Sequence, residues 1–294
     1  MDFGQSLCDV GGLRVGHASD AQLKSGVTVL IADAPVVMAV DVRGGGPGTR
    51  ETDALAPHNL VERVHGLVLA GGSVFGLGAA DRVADLLSQQ GIGLPLGPRA
   101  VPVIPAAIIF DLANGGDKQW AQSPYPALGE KALAALAICD AQGAVGAGYG
   151  ARAGSRAGGL GMASCLTQNG AVVAALMVVN SFGEVYGDAP PSGAVPMPKM
   201  ALGQAAAGMN TSIGVVATNA PLSRVQALRL AMMAQDGLAR AIRPIHTPFD
   251  GDMIFALSTA ASGTSDAIDA VQLTEIGTLA ADCVAQAVRR AVSL

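Results

Sequence analysis

The apolar positions along the chain follow two rhythms, a short β-like one and a helical one, and glycine separates nearly every run. Residues 27–31 and 36–42 are predicted as two strands, joined through Ala32-Asp33-Ala34-Pro35 as a hairpin. The segment RGGGPGTRETDAL, residues 43–55, reads as a glycine-rich loop that turns into a short helix. Residues 66–70 form a further strand, followed by Gly71-Gly72-Ser73. Leu77, Ala80, Val83, Ala84 and Leu87 then keep helical spacing with Asp81, Arg82, Asp85 and Gln89 on the other face, and Ser73 serves as N-cap. Residues 101–110 suggest a strand bent at Pro105, and residues 128–141 a helix. Residues 171–179 are apolar throughout, as in a strand buried on both faces, and Asn180-Ser181-Phe182-Gly183 is the turn that closes it.

Pro190, Pro191, Pro196 and Pro198 mark residues 188–199 as a linker, followed by a small-residue run to Gly208. Beyond it come a β-branched strand at 212–218, a long helix at 221–242 opened by Asn219, a strand at 253–258, and a C-terminal helix or helix pair at 265–292. Alternation of this kind suits one half of a layered α/β sandwich better than a doubly wound sheet.

Composition narrows the function classes. The 294 residues are 50% hydrophobic but 3% aromatic, and 14% are charged, which excludes a disordered chain. A net charge of −5 speaks against a nucleic-acid partner. The mean hydropathy of +0.42 raises the question of a membrane. Residues 157–183 carry no charge, yet Gln168, Asn169 and Asn180 interrupt them, and the apolar run at 171–179 is about half of a spanning helix. No secretory signal is read at the N-terminus, and Cys8, Cys139, Cys165 and Cys283 are scattered. The expectation is a cytoplasmic protein with reduced cysteines and no membrane partner.

Three places could carry chemistry. In Asn210-Thr211, a cut between the two residues would give Thr211 a free α-amine beside its hydroxyl, and such an amine can act as the general base that a hydroxyl nucleophile needs. The same residues also suit the plain start of a strand. Asp250-Gly251-Asp252 sets two carboxylates in one turn, which fits a solvated turn, a metal half-site with His246, or groups that orient a nucleophile. Asn180 could donate to an oxyanion or simply cap a turn. Gly44-Gly45-Gly46 and Gly71-Gly72-Ser73 could offer backbone N–H groups to an anion, although neither matches a nucleotide-binding pattern. Arg43, Arg50, Glu51 and Asp53 suggest an ion network or a cleft wall.

Eight segments in order carry a resemblance across nearly the whole length. They are GLRVGHASD (12–20), RGGGPGTRETDAL (43–55), AGGSVFGLGAADRV (70–83), VIPAAIIFDL (103–112), GAVGAGYGA (143–151), VVNSFGEV (178–185), NTSIGVVATNAPLS (210–223) and HTPFDGDMIFALST (246–259). By these the chain resembles the DmpA-like aminopeptidases, self-processing hydrolases that include β-peptidyl aminopeptidases and a nylon-oligomer hydrolase. The resemblance implies a four-layer α-β-β-α sandwich shared with the ornithine acetyltransferase type. It also implies one domain over 1–294, cut at Asn210–Thr211 into an α chain, 1–210, and a β chain, 211–294. Thr211 matches the nucleophile, Asn180 the residue that helps hold the oxyanion, and Asp250 and Asp252 the two that support the nucleophile; no cofactor or metal is implied. The implied substrate is a small peptide or amide, and the implied assembly a homo-oligomer, a tetramer of αβ units. Ser155 and Phe75 stand where many relatives carry a lysine and a tyrosine. An acyltransferase or a non-catalytic member are the alternatives.

Overall fold

The computed structural model describes residues 2–138, 140–187, 189–190, 193–194, 210–261 and 268–293. Most of the linker expected at 188–199, the run to Gly208 and the start of the helix expected from 265 lie outside the described residues.

The first part of the chain contributes β1 (Leu13–Asp20), β2 (Ser25–Val42), β3 (Thr49–Arg50), β4 (Val64–Ala70), α1 (Gly78–Gln89), β5 (Ala106–Ile108) and α2 (Tyr125–Ala134). A small hairpin of β6 (Arg152–Ala153) and β7 (Arg156–Ala157) precedes the long pair β8 (Gly159–Leu166) and β9 (Val172–Asn180), with β10 (Glu184–Val185) after them. The last part holds β11 (Thr211–Thr218), α3 (Arg224–Ala239), β12 (Ile242–Arg243), β13 (Met253–Ser258) and α4 (Ala270–Ala291).

The main sheet runs in the order β3-β5-β4-β2-β13-β11-β9-β8, with β1 also paired to β2. The 18-residue β2 makes this one path out of two layers. Its first half pairs with β4 from Val27 to Ile31, and its second half pairs with β13 from Val37 to Val42. The expected hairpin at Ala32-Asp33-Ala34-Pro35 is therefore a single strand crossing from one layer to the other. The ladder to β4 shifts register between Ile31 and Val36, so Pro35, which has no N–H to donate, falls where the pairing is broken.

Side-chain alternation turns this strand into three cores. Leu30, Val36 and Met38 point between the two layers and join Leu67, Leu176, Ile213, Val215, Phe255 and Leu257. Val27, Val29 and Ile31 face outward onto α1 and α2, together with Ala79, Val83, Leu128 and Ala132. Val37 and Ala39 face outward on the other side, onto Leu230, Ala234, Leu238, Val284 and Val288 of α3 and α4. Three cores between four layers is the expected α-β-β-α sandwich. Small side chains let the layers approach closely: a Cβ at Gly161 of β8 would lie 2.0 Å from the Ala287 carbonyl of α4.

Several boundaries differ from the sequence reading. Ser73 lies in a short 3-10 turn at φ +53° and caps nothing; α1 starts five residues later. The helix expected at 128–141 covers Tyr125–Ala134, because Ala137 leaves it to bond with Val15. In the bent run at 101–110 only Ala106–Ile108 pairs as a strand. The cap of α3 is Ser223, in a capping box with Gln226; the expected opener, Asn219, instead accepts from the Val172 N–H at 2.9 Å. α4 starts on a second capping box, Asp269 with Gln272. No helix of the described residues is long and apolar enough to cross a membrane.

Candidate functional site

β11 lies between β9, antiparallel, and β13, parallel, and its first residue is Thr211. The register sets Thr211 opposite Asn180, the last residue of β9, and Asn210 bridges to Asp250 just before β13. Three segments distant in sequence thus end at one point because a single central strand pairs with both of the others. Alternation gives Thr211 the same face as Ile213 and Val215, at the mouth of the space between the layers. Thr211, Asp250 and Asp252 are fully buried, and Asn180 is buried.

The Thr211 hydroxyl donates to the Asn210 carbonyl at 2.6 Å. The same carbonyl accepts the Gly251 N–H at 2.9 Å. Glycine fits at 251 without displacing its neighbours: a Cβ there would lie 2.7 Å from both Thr211 Oγ1 and the Gly46 carbonyl. Sequence reasoning passed over this residue, although its place between two carboxylates was the available signal.

The two aspartates act on the surroundings of Thr211. Asp252 accepts the Ser212 N–H at 2.7 Å, the His246 N–H at 3.0 Å, and stands 3.0 Å from His246 Nδ1. Asp250 accepts Thr247 N–H at 2.8 Å, Thr247 Oγ–H at 2.6 Å and Phe182 N–H at 3.4 Å. Neither carboxylate bonds the Thr211 hydroxyl in the intact chain; they fix the residue after it and the loop beneath it. Burial, then the neighbouring Asp252 carboxylate, push the Asp250 carboxyl above its ordinary value, while its bonds to Thr247 and Phe182 pull the other way.

The glycine-rich loop proves to be a strap. Gly44 N–H donates to the Asp252 carbonyl at 3.1 Å, Gly45 N–H to Thr247 at 3.3 Å and Gly46 N–H to Asp250 at 2.8 Å. Gly71, Gly72 and Ser73 likewise donate to Gly26, Asp111 and Ile109. Neither loop offers these N–H groups to an anion, because each already donates to an acceptor distant in sequence. Arg43 pairs with Asp41 and Arg50 with Asp81, while Glu51 accepts the Ile104 N–H, so no single network joins them.

Asn180 Oδ1 accepts the Arg152 N–H at 2.9 Å and its Nδ2 donates to the Phe110 carbonyl at 3.1 Å. An amide carries two N–H groups, so one remains for another acceptor. The Phe110 carbonyl and the Arg152 N–H, which hold this amide in place, were invisible to sequence reasoning. Ser155 donates its N–H and hydroxyl to Glu184, at 2.8 and 3.1 Å, and Phe75 stands edge-on to Trp120. Among the described residues no three His, Cys, Asp or Glu side chains group to hold a metal ion, and His246 is engaged with Asp252.

Comparison with known proteins bears on this site. The profile of peptidase family S58 matches residues 5–294. An uncharacterized aminopeptidase of Mycobacterium tuberculosis (strain ATCC 25618 / H37Rv) is 43% identical, covering 96% of this chain and 92% of that protein. A 6-aminohexanoate-oligomer endohydrolase of Paenarthrobacter ureafaciens is 28% identical, covering 96% and 84%. In fold, the chain is similar to the L-aminopeptidase D-Ala-esterase/amidase of Ochrobactrum anthropi, described as a variant of the Ntn hydrolase fold. That likeness has a TM-score of 0.76 at 22% identity, over 98% of this chain and 85% of that one. A Burkholderia sp. beta-aminopeptidase gives a TM-score of 0.75 at 22% identity, over 98% and 86%. The chain belongs to peptidase family S58 and is a hydrolase of peptide and amide bonds.

Proposed function

We propose that this chain cuts itself between Asn210 and Thr211 and then hydrolyses small peptides or amides through an acyl-enzyme on Thr211. The observation that carries this reading is the Thr211 hydroxyl at 2.6 Å from the Asn210 carbonyl, with the Gly251 N–H on the same oxygen. In self-cleavage the hydroxyl oxygen attacks the Asn210 carbonyl carbon and the Gly251 N–H stabilises the oxyanion. The C–N bond then breaks as nitrogen takes up the proton, leaving an ester that water hydrolyses. The products are the α chain, 1–210, and the β chain, 211–294.

In turnover the freed α-amine takes the hydroxyl proton as the oxygen attacks a substrate carbonyl, and the leaving amine departs with that proton. Water then releases the acid. The Gly251 N–H, vacated by Asn210, and the remaining N–H of Asn180 converge on the substrate oxyanion. Asp252 keeps β11 in register through the Ser212 N–H, and Asp250 holds the 247–250 turn. A cytoplasmic homo-oligomer, a tetramer of αβ units, belongs to the same proposal.

A denaturing gel tests it. The wild-type protein runs as two fragments of about 21 and 8 kDa, the 29.3 kDa chain divided in proportion to length. Thr211→Ala stays whole and inactive. Active wild-type protein that remains a single chain would overturn the mechanism.

A further inference from the structure

Most cationic side chains of the described residues have an acid or a carbonyl to bond. Arg14, Arg43, Arg50, Arg82, Arg99 and Arg240 pair with carboxylates, and Arg63, Lys118, Arg224, Arg289 and Arg290 reach backbone carbonyls. Five cationic side chains of the described residues, Lys24, Lys131, Arg152, Arg156 and Arg229, make no bond of either kind, and three of them, Lys24, Arg152 and Arg156, line one open cavity of about 440 Å³ with Asn114, Tyr149 and Ser155. The nearby carboxylate of Glu184 is already engaged by Ser155. Those bonds to a neutral serine leave Glu184 its charge, so three cations line the cavity against one carboxylate beside it, and the excess is positive.

Two further observations make this a built feature. Lys24 sits at φ +50°, a region that non-glycine residues rarely adopt, and the Asn114 side chain holds its carbonyl there at 2.6 Å. The wall that carries Arg152 and Arg156 is the β6–β7 hairpin, which hangs on the end of β9: Arg152 N–H donates to Asn180 Oδ1 at 2.9 Å and Gly154 N–H to the Ser181 carbonyl at 3.0 Å. Asn180 is the register partner of Thr211. One hydrogen bond and one strand pairing separate the cationic wall from the proposed nucleophile.

We propose that this cavity binds a carboxylate of the substrate, so that the preferred substrates are short peptides or amides carrying a negative group near the bond that is cut. This rests on the hydrolytic reading of Thr211 and narrows its substrate class. Guanidinium groups suit carboxylates because their planar donors match both oxygens.

The test compares matched substrates on the processed enzyme. One pair places the carboxylate on the leaving side, a dipeptide against its C-terminal amide; the other places it on the acyl side, glutaryl- against butyryl-p-nitroanilide. In one of the two pairs the wild type favours the carboxylate member roughly tenfold or more in kcat/KM, the scale of a charge-assisted bond. Arg152→Glu/Arg156→Glu reverses that preference, a change that misfolding cannot produce. A second arm needs no chemistry: the uncleaved Thr211→Ala chain binds glutarate saturably and ignores glutaramide, and the added double substitution abolishes glutarate binding. Equal turnover within both pairs, or an unchanged ratio in the double variant, overturns the proposal. Glutarate binding without any substrate preference overturns it too, as an anion site unconnected to turnover. If no amide is hydrolysed at all, the Thr211 reading fails, and the glutarate arm alone still decides whether the cavity takes a carboxylate.

Discussion

Substituting Gly251 by alanine probes the proposed self-cleavage without touching the nucleophile. The φ of Gly251 lies outside the left-handed region, so alanine adds no backbone strain and keeps the N–H. The cost is steric. The new Cβ would stand 2.7 Å from Thr211 Oγ1 and from the Gly46 carbonyl, where an ordinary contact is no closer than 3.4 Å. The hydroxyl, the more easily moved group, gives way by something under 1 Å, and the Gly46 contact is relieved by a shift of the strap against the loop. A misplacement of that size costs an attacking group up to about 100-fold in rate. A time course on a denaturing gel, started from freshly folded precursor, should show the 1–210 fragment accumulating about 10- to 100-fold more slowly than in the wild type. Thermal unfolding of both precursors on a Thr211→Ala background separates slower chemistry from lost stability. Cleavage of Gly251→Ala at the wild-type rate would show that the Gly251 contact does not position the reacting groups.

Two pH effects follow from buried groups. Burial lowers the pKa of His17 to about 4, so the unfolded chain binds its proton first and stability falls as pH drops from about 6.5 to 4, by about 3 kcal/mol in all. Replacing His17 by glutamine should flatten the melting temperature against pH in that window; an unchanged slope would refute the assignment. Asp250 has the opposite sign. Its raised pKa means the folded state binds the proton first, so its burial penalty is present above that pKa and relieved below it. The melting temperature of the wild type should therefore gain on that of Asp250→Asn as the pH is lowered from neutral, and a difference that is constant with pH contradicts this.

Elements with an uninterrupted apolar run were legible in the sequence: the expected strand at 253–258 is β13 to the residue, and 171–179 is β9 shifted by one. β2 was misread because Asp33 and Pro35 are turn residues by local rules, and only the second layer explains why a strand continues through them. β1 and β8 carry Gly16, Gly159 and Gly161 and gave no clean alternation, since their support comes from neighbours far along the chain. The site divides in the same way. Thr211, Asn180, Asp250 and Asp252 stood out locally as candidates with alternatives left open, and only the family segments joined them into one site, because the register of β11 with β9 and β13 is what brings them together. Backbone donors such as Gly251 N–H leave no side-chain trace, and Lys24 meets Arg152 and Arg156 only through tertiary folding.

The strand order has a consequence for how the enzyme can be made. β11 and β13, from the segment after residue 210, are inserted between β2 and β9, both from the segment before it. A 1–210 polypeptide synthesised alone would expose two long unpaired strand edges with apolar faces, the template for edge-to-edge aggregation, and the remaining 84 residues would lack both flanking partners. Assembly from two separate genes is thereby disfavoured. Synthesis as one chain keeps the inserted strands at high local concentration until the sheet closes, and a later break at 210 leaves every ladder intact, so the halves stay together without a covalent link.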